Sequence, residues 1–304
     1  MKLPYCSIIV LNYNGKSYLK ECFDALRRIN YPKNRYEVIF VDNGSTDGSV
    51  KYVKRSFPWV KVLRLKKNYG FAEGNNKGLK VAKGEYVVFL NNDTKVDKNW
   101  LIELVKVASS DKKIGVCGSK IFNLGDKGVK TIVGDGHVNI FGMVKNSEKI
   151  ESLGKTFFVS GCSFLIKRSV LSKLKYCFDP TFFAYFEDVD LCWRVWLLGY
   201  KVYYVPTSVV LHKKAMTVSA IGDVMKFNHY RNKILTFKKN LRFPLTQISL
   251  LSIFLTTLFM ILYWKFKGRW SFGISVLRYV FTKIEKNPLL NQISLKKQLK
   301  LFTI

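Results

Sequence analysis

The sequence has no Gly-x-Gly-x-x-Gly after its first apolar run, no Cys-x-x-Cys pair, no zinc-finger spacing and no aromatic RNA-binding signature. The first absence argues against a nicotinamide or flavin dinucleotide site, whose pyrophosphate needs that glycine turn. The others place nucleic acid well below alternative anionic partners. Acidic residues are scarce, 21 against 51 Lys and Arg, and the formal net charge is +30. So basic a chain invites nucleotide phosphates or anionic lipid, although part of the charge reads as a plain Lys-rich surface. At 48% hydrophobic the chain is not disordered by composition, and 304 residues suffice for one large domain, alone or with an appendage. Cys6, Cys22, Cys117, Cys162, Cys177 and Cys192 mostly sit among apolar residues and read as core thiols in a reducing compartment. Met1-Lys2 leads straight into a strand without an apolar signal segment, so the catalytic part is expected in the cytoplasm.

What is present is a series of apolar runs that each end in polar residues. Val87–Leu90 reads as a strand buried on both faces, followed by Asn91-Asn92-Asp93-Thr94. Ligands of open α/β sheets bind just beyond the carboxyl ends of the strands, and a carboxylate there suits a hard divalent cation. The plainer alternative is that Asp93 ends a turn or caps the helix starting near Asn99. Cys6–Leu11, Tyr36–Val41 and Val60–Leu65 read as three further strands, and Ser17–Ile29 as a helix with Leu19, Cys22, Phe23 and Leu26 on one face. The second strand ends in Asp42-Asn43-Gly44-Ser45-Thr46-Asp47, a turn and helix N-cap in one. In doubly wound folds an Asp at that place also holds a nucleoside. The third strand leads into Asn68–Asn76, whose glycines permit close backbone approach and whose amides can bond a base or ribose.

Taken in order, Ser7–Gly15, Val41–Ser49, Asn68–Asn76 and Leu90–Thr94 resemble the family 2 glycosyltransferases of GT-A fold. The likeness continues through Val159–Arg168, Phe178-Asp179-Pro180, Tyr185–Arg194, Gly199–Val202 and Val210-Leu211-His212, and looks most like the rhamnosyltransferase-like branch. The resemblance implies a GT-A-like α/β fold (nucleotide-diphospho-sugar transferase), a mostly parallel sheet flanked by helices. It implies that Asp42 binds the base and Asn68 helps hold the nucleotide, with Asn12, Gly74 and Asn75 completing the donor set. Asp93 becomes the metal-binding carboxylate of the DxD-type motif, His212 completes the metal site, and Asp188 is the catalytic base. Two positions depart from the pattern. Asn91 takes the first DxD place, which leaves metal affinity to Asp93, the diphosphate and one further ligand, and Tyr176-Cys177 replace glycines often seen before Phe-Asp.

The implied chemistry needs one carboxylate to deprotonate the acceptor hydroxyl, while a divalent Mg or Mn takes the charge on the departing diphosphate. Glycosidases by contrast need an acid and a base. Glu187-Asp188-Val189-Asp190 opens a helix with Leu191, Val195 and Leu198 as its apolar stripe. Acidic residues in a first turn also suit the helix dipole, and Asp190 is spaced for an i,i+4 pair with Arg194. That structural role is taken for Asp190. His137 and His229 match no family position and read as structural.

Lys120–Lys155 is a Gly-rich insert that, in such enzymes, often borders the acceptor. Phe243–Trp264 carries no charged residue and has basic clusters on both sides. Its length reaches that of a bilayer span, its Ser and Thr content suits an in-plane or re-entrant helix, and packing on the catalytic domain ranks third. The expected organisation is a catalytic domain over residues 1–240 and a membrane-associating segment over 241–304, at the cytoplasmic face of the cell membrane. The expected function is an inverting, metal-dependent hexosyltransferase using a nucleotide-diphosphate sugar and a glycan or lipid-linked acceptor. The rivals are a transferase acting on soluble polysaccharide or protein, a catalytically inactive nucleotide-sugar-binding membrane module and, more weakly, a nucleotidyltransferase.

Overall fold

A computed structural model describes residues 3–125, 128–146, 151–213, 222–265 and 270–303. The first part alternates strictly: β1 (Cys6–Asn12), α1 (Lys16–Arg27), β2 (Tyr36–Asp42), α2 (Ser49–Ser56), β3 (Lys61–Arg64), α3 (Gly70–Val81) and β4 (Tyr86–Asn91). Then come β5 (Thr94–Val96), α4 (Trp100–Ser110), β6 (Ile114–Gly125), β7 (Gly128–Val133), β8 (Asp135–Val138) and β9 (Val144–Asn146). They are followed by β10 (Gly154–Lys155), β11 (Phe158–Val159), β12 (Ser163–Lys167), α5 (Arg168–Leu171), α6 (Glu187–Leu197) and β13 (Lys201–His212). The chain closes with α7 (Gly222–Asn240), α8 (Leu245–Lys265), α9 (Trp270–Phe281) and α10 (Leu295–Leu299).

The main sheet has ten strands, in the order β10-β13-β6-β12-β4-β1-β2-β3, with β5 added on β13 and β7 on β6. β4 lies at its centre, and its alternating side chains feed two cores. Val87 and Phe89 join Ile9, Val41 and Phe164 on one face. Val88 and Leu90 join Ile8, Val10 and Phe40 on the other. All six cysteines are buried and free, as core thiols.

The expectation of a mostly parallel sheet is corrected: the sheet is mixed. β1 pairs in parallel with β2 and β4, β2 with β3, and β6 with β13. β12, however, runs antiparallel to both β4 and β6. The cause is the connection. Helical crossovers keep the early strands parallel, whereas β6 turns back directly into β7 as an antiparallel pair. The Gly-rich insert then builds a three-stranded sheet, β11-β8-β9, before the chain re-enters as β12.

The C-terminal helices also depart from the expected ranking. Leu245, Ile253, Val276, Leu290, Ile293 and Leu301 enter the same core as Trp193 and Phe157, so this segment packs on the rest of the molecule. Ser249 donates to the Ile140 carbonyl, and Phe302 stacks on Phe157 at 6.3 Å and 9°. Among the described residues no helix is long and apolar enough to cross a membrane. The outer edge of α8 nevertheless shows Ile248, Leu251, Leu255, Leu258 and Phe259 to the surroundings, Phe259 at 75% exposure.

Candidate active site

The ends of β1 and β2 and the start of α3 form one polar cluster. Asp42 is fully buried at the end of β2; its Oδ2 accepts from Ser45 N at 3.3 Å, while Oδ1 has no protein partner. A buried carboxylate oxygen left without a donor is costly unless something else fills it, and a nucleobase N–H fits that need. Asn68 sits opposite. Its Oδ1 accepts from Asn43 Nδ2 at 2.9 Å and from Gly70 N at 2.8 Å, which shapes the turn into α3. Gly70 has φ +79°, and a Cβ there would lie 2.4 Å from the Phe183 carbonyl, so only glycine fits.

The other three donor-set residues also make contacts within the fold. Asn12 donates to Ser45 Oγ at 3.1 Å and accepts from Asn92 at 2.6 Å, joining two strand-end loops. Gly74 lets α3 approach β1; a Cβ would meet Leu11 at 2.7 Å. Asn75 is buried and donates to the Phe71 carbonyl one turn back. The helix-capping role belongs to Asp47, which accepts from Lys16 N at 2.8 Å and Ser49 N at 3.0 Å.

Asp93 is not the cap of α4: Asn99 holds the N-cap position, and its own N–H bonds Asp97 at 2.8 Å. Instead β5, directly after Asp93, pairs with the end of β13 and sets Thr94 opposite His212. Asp93 Oδ1 and His212 Nε2 face each other at 3.2 Å, both largely buried. Burial opposes charge on the imidazole, but Cys162 and Asp93 beside it outweigh burial and raise it to about 10. His212 Nδ1 lies 2.8 Å from Asn123 Oδ1, its register partner on β6. That amide oxygen accepts from Nδ1–H and turns Nε2 toward Asp93, the orienting arrangement common behind a ligating histidine. A divalent ion would displace the Nε2 proton shared with Asp93 and take its other oxygens from a diphosphate and water. Among the described residues no group of three or more His, Cys, Asp or Glu gathers to hold a metal, so the protein's share is small.

The turn ahead of β12 joins this pair to α6. Asn91 N donates to the Cys162 carbonyl at 2.9 Å, and Gly161 N donates to Asp188 Oδ2 at 2.8 Å. A Cβ on Gly161 would stand about equally close to Asp188 and Glu187, at 3.4 and 3.5 Å, so both carboxylates converge on this turn. Burial raises the Asp188 carboxyl, opposed by N–H bonds from Gly161 and Val189. Glu187 is buried with Oε2 unpartnered, and burial together with the charge of Asp188 holds it well above the usual range. Asp190 points the other way. Its Oδ2 accepts from Arg194 Nε at 2.8 Å, and both side chains are buried rather than on the surface. Tyr185 and Phe186, at φ +74° and +68°, deliver the chain into α6 through a conformation that costs about 1–3 kcal/mol per residue.

Sequence reasoning did not single out Gly161, Cys162 or Asn123 for these contacts. The first two lay inside a quoted motif; Asn123 carried no signal, because only the β6–β13 register brings it to His212.

Residues 7–175 match the sequence family described as Glycosyl transferase family 2. The chain belongs to that family. It is 33% identical over 103 residues to Glycosyltransferase AglE of Haloferax volcanii, covering 33% of this chain and 34% of the relative. It is 25% identical over 207 residues to the poly-beta-1,6-N-acetyl-D-glucosamine synthase of Staphylococcus epidermidis, covering 67% of this chain and 48% of the relative. The matches thus span a third to a half of these relatives' length. The fold is similar to that of GalNAc-T7, solved with UDP, GalNAc and Mn2+, at TM-score 0.62 and 19% identity over 78% of this chain and 48% of that one. Its architecture is GT-A-like, with a mixed sheet between helices.

Proposed function

We propose that this family 2 protein is an inverting glycosyltransferase that moves a sugar from a nucleotide-diphosphate donor to a hydroxyl of a growing glycan. The observation that carries the reading is the turn at Gly161-Cys162, which ties Asp188 and the Asn91–Asp93 strand end to neighbouring peptide groups. Asp42, with its unpartnered buried oxygen, would take the base, and Asn68 the adjoining nucleotide edge. Asp93 and His212 would hold a divalent Mg or Mn, which when bound supplies positive charge to the departing diphosphate. Asp188 takes the proton of the acceptor hydroxyl as its oxygen bonds to the anomeric carbon. The bond from that carbon to the diphosphate oxygen breaks, and the electron pair leaves with the nucleotide diphosphate. Asn91 in the first DxD place supports the rhamnosyltransferase-like branch.

The chemistry is assigned to residues 1–240. The 241–304 segment, seated in the same core, offers the exposed Ile248–Phe259 edge to the surface of a membrane, in plane. Such an edge fits a membrane-borne, lipid-linked acceptor, at the cytoplasmic face in this reading. A polysaccharide acceptor is the second reading, favoured by the name of the Staphylococcus epidermidis relative. The deciding experiment is a panel of nucleotide sugars with Mn2+ and isolated membranes, reading nucleotide diphosphate release and product mass. Release with a mass gain on lipid supports the first reading, and on lipid-free glycan the second. Donor binding without any release would make the protein an inactive nucleotide-sugar-binding membrane module.

A further inference from the structure

α7 buries an edge that no apolar pattern marks. Asn228, Asn232, Thr236 and Asn240 recur every four residues, so they share one side of the helix, and each is at most 6% exposed. Two residues of this edge bond the chain on either side of Asp188. Asn232 Nδ2 donates to the carbonyls of Ala184 at 3.0 Å and Tyr185 at 2.8 Å, within the left-handed lead into α6. His229, one turn earlier on α7, packs edge-on against Phe186 at 5.0 Å and Tyr185 at 5.9 Å.

Asn240 acts at the other end. Its Nδ2 donates to Asp190 Oδ1 at 2.7 Å and to the Thr236 carbonyl at 3.1 Å. Its Oδ1 accepts from Asn287 at 2.8 Å and its carbonyl from Gln298 at 2.6 Å. Asp190 in turn holds Arg194, whose other nitrogens reach the Tyr176 carbonyl at 2.9 Å and the Cys177 carbonyl at 2.7 Å. Around Asn240 every side-chain group is bonded, whereas Asn232 uses its Nδ2 and leaves its buried Oδ1 without a partner among the described residues. Buried polar bonds of this kind specify one arrangement more sharply than apolar packing does.

We propose that Asn232 and Asn240 are positioning residues for Asp188: Asn232 fixes the left-handed turn before it, and Asn240, seated by the C-terminal tail, fixes α6 through Asp190. This rests on the transferase reading only for its kinetic consequence. The geometric claim stands on α7 alone. A displaced base is enough to slow transfer strongly, since an error of about 1 Å can cost about 100-fold in rate.

The test uses the full chain with Asn232→Leu and Asn240→Leu, which keep a similar volume and remove the amide. Thr236→Val is the control on the same edge, because the Thr236 hydroxyl has no partner among the described residues. Two readouts are taken: steady-state kinetics with the best donor of the panel, and amide hydrogen exchange of the peptide covering residues 185–191. Each Asn variant is expected to lower turnover by about 100-fold with donor KM within about threefold. Exchange over 185–191 should rise about five- to tenfold, the change one lost hydrogen bond makes in a local opening. Thr236→Val should match the parent in both. If Asn240→Leu does not fold, Gln298→Met removes the outer link and should give the same direction with a smaller size. Unchanged exchange over 185–191 in folded Asn232→Leu overturns the proposal even if no donor is ever turned over. Faster exchange with parental turnover overturns the kinetic part and leaves the transferase reading intact. A Thr236→Val effect equal to those of the Asn variants overturns it as well.

Discussion

In β1, β2 and β4 the interior is apolar apart from the mutually bonded Ser7 and Glu37, and a second set of polar groups gathers where the strands stop, at Asn12, Asp42 and Asn91. In the last third of the chain the arrangement is inverted. α7 puts amides inside, at Asn228, Asn232 and Asn240, while α8 shows Leu251, Leu255 and Phe259 outside. The difference lies in what the polar atoms have left to do. Asp42 keeps an oxygen without a partner, which a ligand can use. Asn240 has every side-chain group engaged within the protein. Asp42 therefore keeps a group available for chemistry, while Asn240 is committed to shape.

The comparison is sharpest across one helical turn, at Asp188 and Asp190. Asp188→Asn removes a proton acceptor with little change of shape, so transfer should fall ~100- to 10,000-fold at saturating substrates while donor affinity by calorimetry holds. Transfer within about threefold of the parent would falsify the base assignment. Asp190→Ala should act through architecture instead. It leaves Arg194 buried without its carboxylate and should cost about 3–5 kcal/mol in denaturant unfolding. A loss under about 1 kcal/mol would place Asp190 with the strand-end groups after all.

Next in size is the metal pair. Asp93→Ala and His212→Ala should each weaken Mn2+ binding in the presence of nucleotide diphosphate by at least ~10- to 100-fold, the range known for residues one layer further out. Retained Mn2+ affinity in both, or parental activity in EDTA, would remove the metal from this site. Glu187 gives a smaller, pH-dependent effect. Its folded pKa is raised, so its contribution to stability is full below the unfolded value and is lost as pH rises through the folded one. Denaturant unfolding across pH should show that loss in the parent, at most about 1.4 kcal/mol per pH unit for Glu187, and a shallower one in Glu187→Gln, where the raised Asp188 carboxyl remains. Equal slopes would show that the proton is held elsewhere. Smallest is Leu255→Ser on the exposed edge of α8, which should lower partition onto anionic vesicles in high salt by about fivefold without changing stability. An unchanged partition would free that edge from any membrane role.

How much of this the sequence shows depends on which kind of burial is at work. β1, β2 and β4 are legible because their apolar runs stop abruptly at polar residues, and α1, expected over Ser17–Ile29, lies at Lys16–Arg27 with the same buried stripe. The approach of His212 to Asp93 is legible only through family likeness, since β5–β13 pairing is what creates it. The antiparallel entry of β12 is not written in its own residues, which are apolar in either direction. α7 escapes a simple hydrophobic pattern because it buries the polar Asn228, Asn232, Thr236 and Asn240 as well as Ile234, Leu235 and Phe237. α8 misleads in the opposite sense, since an uncharged run looks alike whether protein or lipid covers it. For Asn12, Gly74 and Asn75 the residue type is right for a ligand, yet only coordinates show them bonded to, or packed on, the protein itself.

The six sealed cysteines give this chain a set of internal clocks. Burial pushes the thiols of Cys6, Cys22 and Cys177 up to about 12, so almost no reactive thiolate exists in the native protein. An alkylating reagent can therefore mark a given cysteine only while its surroundings are open. Cys6 reports on β1, Cys22 on α1, Cys162 on the turn that joins the two carboxylates, and Cys192 on α6 itself. Mass spectrometry of the labelling order would rank how readily each layer breathes, with no probe added to the sequence.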